Sequence, residues 1–210
     1  TAGNYEIVVQ DANGCEESAV VSVTEPNELV ADLASVDGAA EIQLGDSLFL
    51  TTLIPGNAVI DTFYWTDGLE DLRCDTCRGQ WVAPTYTTTY GIFVEDANGC
   101  IDVDQLEVRV KKDRLIYIPT GFAPGATGEN RIFTFYGGTG VEVVESFVIA
   151  DRWGEIVFSA QYFQPNDPDF GWDGRLQGEF LNPGVFVYFA KVRFTDGRVE
   201  LYKGDVTLIR

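Results

Sequence analysis

One segment occurs twice in this chain, and its pattern favours antiparallel β-structure over any other fold. Residues 5–15 read YEIVVQDANGC and residues 90–100 read YGIFVEDANGC, at an offset of 85 residues. In each copy an alternating strand leads into an Asp-Ala-Asn-Gly turn, and a second alternating strand follows. Asn-Gly tolerates the positive φ angles that tight hairpins need. Each copy is therefore predicted to be a β-hairpin, and the offset is that of one immunoglobulin-sized module.

The repeat and one basic cluster divide the chain into three parts. Residues 1–26 are predicted to be the C-terminal hairpin of a truncated repeat. Residues 27–112 contain about seven strand-like runs without helical periodicity, which favours a β-sandwich. The basic residues 111–114 mark a short polar connection to residues 113–210, which are predicted to form a second sandwich. The predicted fold class is all-β, with tandem immunoglobulin-like β-sandwich domains.

The third part shows clear strand periodicity. Residues 151–154, DRWG, are predicted to be a hairpin turn whose glycine supplies a positive φ. Apolar residues then occupy alternate positions of one long strand, whose other face carries Lys191 and Arg193. The members of this apolar face are Phe186, Tyr188, Ala190, Val192 and Phe194. A turn at residues 195–198 leads into the terminal run, which is predicted to close the sheet as an edge strand.

Charge and residue usage exclude several functions. The chain has 14 Lys and Arg against 33 Asp and Glu, a net charge of -19, so phosphate-rich nucleic acid is not an expected partner. Cations are more plausible small partners than anions. Histidine is absent, which removes the usual general base and metal ligand, and no enzymatic activity is predicted. No stretch approaches the roughly 20 apolar residues of a membrane-spanning helix.

Four cysteines suggest an oxidising compartment. Cys74 and Cys77 have the spacing of redox and zinc motifs, but a zinc site needs four ligands and no second pair lies nearby. A redox role would place the pair at a helix N-terminus, so a structural disulfide is predicted instead. Cys15 and Cys100 are equivalent positions of the repeat. Three full pairings of the four cysteines remain open. In two of them Cys100 bonds to Cys74 or to Cys77.

Acidic loops raise the question of calcium. The Asp-x-Asn-Gly turns of the repeat resemble the start of a calcium loop, but each lacks the downstream glutamate, so turn chemistry explains them. Asp167, Asp169 and Asp173 are the better candidates, because three carboxylates on one loop could converge on a hard cation. A solvated acidic loop is the favoured alternative, and no cofactor is firmly predicted.

Four motifs of the third part, at residues 151–154, 171–174, 183–188 and 203–210, occur in a characteristic order over about 95 residues. This order resembles the gliding-motility-associated C-terminal domain, which is the type B sorting domain of the type IX secretion system of Bacteroidota. The motif residues are Asp151, Arg152, Trp153, Gly154, Trp172, Asp173, Gly184, Lys203, Gly204 and Arg210. Both tryptophans are expected to pack in the core, and the alternative is that they are exposed contacts for a partner.

Two further stretches bear on this resemblance. Residues 1–26 resemble a repeat of large SprB-like gliding adhesins, and residues 27–112 resemble immunoglobulin-like or PKD-like adhesin domains. The loop at residues 124–131 departs from the sorting-domain pattern, because Thr127 and Arg131 stand where the family has aspartates. A cation-binding role is therefore not implied for that loop.

The resemblance implies the C-terminal region of a large secreted cell-surface adhesin. Its sorting domain would be recognised in the periplasm after Sec export, pass the type IX translocon, and depend on a partner of the SprF/PorP family for secretion or attachment to the outer-membrane exterior. The alternative is an extracellular adhesin module that binds calcium or a glycan through its acidic loops and has no sorting role. Calcium-dependent thermal stabilisation would favour that alternative.

Overall fold

The computed structural model describes residues 2–25, 27–126 and 128–209, and almost all of its regular structure is β-strand. The tandem β-sandwich architecture is confirmed. The strands of the described residues are β1 (Gly3–Gln10), β2 (Glu16–Val23), β3 (Asp32–Ser35), β4 (Glu41–Gln43), β5 (Leu48–Leu53), β6 (Ile60–Asp67), β7 (Gly79–Val82), β8 (Thr88–Asp96), β9 (Ile101–Lys111), β10 (Ile116–Tyr117), β11 (Gly121–Phe122), β12 (Tyr136–Gly137), β13 (Val141–Ala150), β14 (Ile156–Phe163), β15 (Arg175–Leu176), β16 (Glu179–Phe180), β17 (Gly184–Phe194) and β18 (Val199–Leu208). Three single 3-10 turns lie at Leu69–Asp71, Glu129–Arg131 and Pro168–Phe170.

The N-terminal hairpin is an isolated two-stranded sheet. β1 and β2 pair antiparallel from Gly3 opposite Val23 to Gln10 opposite Glu16, and both strands are exposed along their whole length. The second copy of the repeat, β8 and β9, folds into the same hairpin inside a sandwich. The side chains of β8 are buried at positions where those of β1 are exposed.

Corresponding apolar residues of the two hairpins differ completely in burial. Ile7 and Val9 are 53% and 65% exposed, whereas their counterparts Ile92 and Val94 are fully buried. Since the two sequences carry the same alternation, the apolar face of the first hairpin has the composition of a sandwich interior.

The first sandwich pairs two sheets, with strand orders β3-β5-β7 and β4-β9-β8-β6. Period-2 alternation directs one face of each sheet inward, and Trp65 lies at the centre with its indole Nε1 donating a hydrogen bond to the carbonyl oxygen of Cys77 (2.8 Å). The buried core residues are Leu29, Ala31, Leu33, Ile42, Leu48, Leu50, Trp65, Val82, Tyr90, Ile92, Val94 and Val108.

The second sandwich is built on a five-stranded sheet of order β11-β18-β17-β13-β14. Two-stranded pairs, β10-β12 and β15-β16, accompany it. Its core is rich in aromatic rings, which bury large apolar areas and pack edge to face. The buried aromatic residues are Phe122, Phe133, Phe135, Phe147, Phe163, Trp172, Phe186 and Phe194.

The two sandwiches share an apolar contact. Leu44, from the first sandwich, is 2% exposed and belongs to the core of the second. The hydroxyl of Thr139 donates to Asp46 Oδ1 (2.7 Å) and approaches the carbonyl oxygen of Leu44 (3.4 Å). A β-carbon on Gly45 would overlap the Thr139 carbonyl, so only glycine permits this approach.

A charged contact lies beside the apolar one. Asp196, in the turn between β17 and β18, accepts hydrogen bonds from Lys112 Nζ (3.1 Å) and Arg114 Nη2 (2.8 Å), and its side chain is only 5% exposed. Lys112 also lies over the ring of Tyr86, 3.7 Å from the ring centroid. The Lys112–Asp196 ion pair therefore joins the two sandwiches, and Arg114, which already belongs to residues 113–210, binds the same carboxylate.

Candidate functional site

Three hairpin turns share one geometry, set by an aspartate at the first position. Asp11, Asp96 and Asp151 each donate their amide to the carbonyl oxygen four residues later, at 2.9–3.0 Å. The Oδ1 atom of each aspartate accepts the amides two and four residues later, at 2.8–2.9 Å. This is the Asx-type turn chemistry that the sequence predicted for the repeat. The DRWG motif of the third part uses the same turn.

The turn at Asp151 presents a tryptophan to solvent. Trp153 occupies its third position and is 81% exposed, so the expectation that it packs in the core is wrong. Its position at the tip of a hairpin carries the indole beyond the end of the sheet. The guanidinium of Arg152 lies 5.0 Å from the indole centroid, and Gly154 adopts φ 89° as predicted for this turn.

Trp172, in contrast, is a core residue as expected. It is 1% exposed and packs edge to face on Phe186, with ring centroids 4.8 Å apart. Its backbone exchanges two 2.9 Å hydrogen bonds with Phe133, and its Nε1 donates to the carbonyl oxygen of Arg175 (3.0 Å). Asp173 Oδ1 accepts the Arg175 amide (3.1 Å). These two motif residues stabilise the fold.

The remaining motif residues lie on β17 and β18. Gly184 begins β17 opposite Leu208. A β-carbon on Gly204 would lie 2.6 Å from the hydroxyl oxygen of Tyr188, so glycine leaves room for that ring to cross β18. Lys203 is exposed opposite Phe189. Arg210 lies outside the described residues.

The terminal strand is not an edge strand along its whole length. β18 lies between β17 and β11, and its residues Thr207 and Leu208 pair in parallel with Gly121 and Phe122. The prediction of an edge strand is therefore wrong at its last residues. The partner strand has only two residues, which is too short to produce a sequence pattern.

An exposed apolar patch covers the outer face of the five-stranded sheet. We call it the outer patch; its members are Val185 (51% exposed), Val187 (38%), Phe189 (55%), Leu201 (79%) and Ile156 (58%). Ala150 lies opposite both Val187 and Ile156, so the DRWG turn, which follows Ala150, borders the patch. Exposed apolar patches of this kind are typical of interaction surfaces. Sequence analysis missed it, although β17 is apolar on both faces over its first half, a pattern that indicates two covered faces.

Two of the four cysteines are bonded to each other and two are free. Cys74 and Cys77 form a disulfide, and the Gln80 side chain closes the same loop by donating to the Cys74 carbonyl oxygen (2.7 Å). Cys15 and Cys100 are free thiols, so the alternative in which Cys100 bonds to the pair is wrong.

The calcium candidates do not converge. Asp167 caps the 3-10 turn by accepting the Asp169 amide (3.0 Å), whereas Asp173 lies against Arg175, with 3.5 Å between Oδ2 and Nε. Within residues 2–25, 27–126 and 128–209, no three His, Cys, Asp or Glu residues are placed to hold a metal ion. The structure does not support calcium binding by these three aspartates.

Asp96, the turn aspartate of the second repeat copy, predicts how stability depends on pH. Hydrogen bonds to the carboxylate, above all from the Cys100 amide, lower the pKa of Asp96 below its ordinary value of 3.8. A lowered folded-state pKa contributes stability that is complete above pH 3.8 and is lost as pH falls through the folded pKa. We therefore expect Asp96→Asn, which retains an acceptor but does not titrate, to reduce the loss of melting temperature between pH 5 and pH 2. Equal losses in both proteins would contradict this.

No helix in the described part of the chain is long and apolar enough to cross a membrane.

Comparisons with known proteins identify no family. No protein-family model matches the chain, and no curated protein matches it. Solved structures with similar folds include fibronectin(III)-like modules of Clostridium thermocellum CbhA, at 11% identity and TM-score 0.31, covering 85% of this chain and 93% of that one. A tetra-tandem repeat from a large adhesion protein matches at 15% identity and TM-score 0.34, covering 98% of this chain and 56% of that one. Latent PorU from Porphyromonas gingivalis matches at 12% identity and TM-score 0.31, covering 99% of this chain and 24% of that one. Likenesses at these scores carry no argument about function.

Proposed function

We propose that this chain is the C-terminal region of a secreted cell-surface adhesin and that its second sandwich is an export signal for the type IX secretion system. The observation that carries the proposal is the exposed Trp153, at 81% exposure, beside the outer patch. An indole at the tip of a turn, exposed to solvent where the Trp172 indole of the same domain is buried, is suited to contact a partner.

The sorting motif has two structural roles in this proposal. Trp172, Gly204 and the end of β18 hold the domain together, because they lie in or against its core. Trp153 and the outer patch form the contact surface. An exposed tryptophan beside an apolar patch with a polar rim has the composition of a protein interface, in which buried aromatic anchors supply most of the affinity. Lys203 and Asp205 provide that polar rim, opposite Phe189 and Val187.

The partner we propose is a SprF/PorP-type protein acting with the type IX translocon. Recognition would follow Sec export into the periplasm, and surface attachment would follow passage through the translocon. In this proposal the second sandwich binds its partner and directs export, and it carries out no catalytic step.

The upstream parts would extend and present the adhesin. We propose that residues 1–26 end a preceding repeat, because the exposed face of β1 and β2 matches a face that is buried in the second copy. Residues 27–112 would be a spacer joined firmly to the sorting domain at residues 113–210.

Replacing Trp153 by alanine tests the proposal. A reporter carrying a signal peptide and a fluorescent protein fused to residues 1–210 would be expressed in a gliding bacterium and in its translocon mutant. The whole chain is used because Leu44 completes the core of the second sandwich. We expect the wild-type fusion outside the intact strain only, and at least tenfold less export of Trp153→Ala, since one aromatic anchor contributes about 2 kcal/mol or more.

The matched control is Trp81→Ala, which removes another exposed indole, 63% exposed, from the first sandwich. Its export should equal that of the wild type. Retention of the wild-type fusion inside both strains would overturn the sorting role, and undiminished export of Trp153→Ala would show that the contact surface is elsewhere.

A further inference from the structure

A second exposed aromatic feature lies on the first sandwich, far along the chain from the sorting motif. Val36, which directly follows β3, lies beside Phe49 on β5, and Phe49 lies beside Trp81 on β7. We call these three residues, on the outer face of their sheet, the aromatic row. Phe49 lies directly opposite Trp81, and their ring centroids are 5.4 Å apart in an edge-to-face arrangement. Val36 and Trp81 are 68% and 63% exposed.

The row is not part of the core. Gln80 and Val82, which flank Trp81 on β7, are 8% and 1% exposed and face inward. Because side chains alternate between the two faces of a strand, Trp81 must face outward. β7 is also the edge strand of its three-stranded sheet. The indole is therefore accessible from the outer face of the sheet and from the side of β7 on which this sheet has no further strand.

Small residues beside the row leave the rings uncovered. Gly79 precedes Trp81 on the same face, and the tip of the Phe49 ring lies 3.0 Å from where a Gly79 β-carbon would be. Thr51 lies opposite Gly79, and Ala34 lies opposite Thr51. Beside the rings lies a shallow cavity of about 580 Å³ lined by Val36, Asp37, Ser47, Leu48, Phe49 and Trp81.

The lining combines flat apolar surface with hydroxyl-binding groups. Asp37 uses Oδ1 to accept the Ala39 amide (3.2 Å), and a carboxylate has about four acceptor sites, so capacity for further hydrogen bonds remains. Ser47 can both donate and accept. A sugar ring has the complementary chemistry: C–H groups on one face that pack on an aromatic ring, and hydroxyls around its rim.

We propose that the aromatic row binds a neutral glycan, with Trp81 as the stacking platform and Asp37 and Ser47 as hydrogen-bond partners. Three neighbouring strands span roughly 10 Å, which accommodates about two sugar rings. The net charge of -19 and the carboxylate in the lining oppose anionic sugars and nucleic acid. The same charge opposes a second copy of this chain as the occupant. The site is separate from the outer patch and does not depend on the sorting role.

Affinity electrophoresis of the whole chain tests the site. The probes are four neutral polysaccharides, namely a β-glucan, a xyloglucan, a galactomannan and agarose, with polygalacturonate as the anionic control. We expect at least one neutral polysaccharide to retard the wild type and Trp81→Ala to weaken that binding about tenfold, a difference of about 1.4 kcal/mol, because the substitution removes the stacking platform. Trp81→Phe, which keeps a smaller ring, should fall between them.

Trp153→Ala is the matched control and should bind like the wild type, since its indole lies on the other sandwich. Unchanged melting temperatures would show that the variants remain folded. Retardation by none of the neutral polysaccharides, equal retardation of Trp81→Ala, or equally strong retardation by polygalacturonate would each overturn the proposal. A wild-type dimer that Trp81→Ala converts to a monomer would assign the row to a second copy instead and would also overturn it.

Discussion

Replacing Trp172 by alanine is expected to destabilise the second sandwich by about 3–5 kcal/mol, the range for removing a large aromatic side chain from a core. Trp172 is 1% exposed and contacts Phe186 and Phe122, with ring centroids 4.8 Å and 5.2 Å away. The loss would also leave the carbonyl oxygen of Arg175 without its indole donor. Urea unfolding of the whole chain, followed by circular dichroism, measures the change. Export of the reporter fusion should fall as well, because a larger fraction of the sorting domain would be unfolded.

Trp153→Ala is the control, since it makes the same chemical change at an exposed position of the same domain. Its effect on stability should stay within about 0.5 kcal/mol. The two variants therefore separate folding from recognition: Trp172→Ala should lose both stability and export, whereas Trp153→Ala should lose export alone. Equal stability losses in the two variants would mean that the assignment of core and surface tryptophans is wrong.

Trp153 and Trp172 also show how far burial could be predicted from the sequence. Each is followed by a glycine within two residues in a short polar motif, and both were expected in the core. The hairpin turn at 151–154 was predicted correctly, and a residue at the tip of such a turn extends beyond the sheet. That geometry could have identified Trp153 as exposed. Nothing in the local sequence showed that Trp172 would bridge to Phe133, because the partner is 39 positions earlier in the chain.

Strand patterns were the most reliable part of the prediction. The face of β17 with Phe186, Ala190, Val192 and Phe194 is buried, as period-2 alternation indicated. The opposite face was described only through Lys191 and Arg193, so the apolar first half of that face was missed. The aromatic row was missed for the same reason: Trp81 belongs to a four-residue edge strand that is too short to display a period.

Contacts between the sandwiches could not be predicted at all. Leu44 occupies a strand end in the first sandwich, and nothing nearby marks it as a core residue of the second. Residues 111–114 indicated only a short polar connection, because the carboxylate that pairs with Lys112 and Arg114, Asp196, is more than 80 residues away. Long-range pairing of this kind is decided by the three-dimensional arrangement of the sandwiches and not by local pattern.

Removing the carboxylate of Asp196 is expected to uncouple the two sandwiches. Burial opposes ionisation of Asp196, but the hydrogen bonds from Lys112 and the Arg198 amide, with the charge of Arg114, outweigh it and lower its pKa. Asp196→Ala would remove the carboxylate that pairs with Lys112 and would leave Arg114 the longer contact to Glu200 (3.7 Å). Breaking a buried pair costs about 3–5 kcal/mol, and because Lys112 is 30% exposed we expect about 2–4 kcal/mol here.

Loss of the coupling between the two sandwiches should change the number of unfolding transitions as well as the stability. Because Leu44 and Asp196 tie the sandwiches together, the wild type should unfold in one cooperative transition in urea, and Asp196→Ala should unfold in two. Asp205→Ala removes an exposed carboxylate from the neighbouring strand and should leave a single transition at nearly the same midpoint. If Asp196→Ala also retains a single transition, the apolar contact at Leu44 and Gly45 is sufficient for coupling. A single transition would then make the ion pairs a local stabiliser of the turn, whereas two transitions would make them necessary for cooperative unfolding of the two sandwiches.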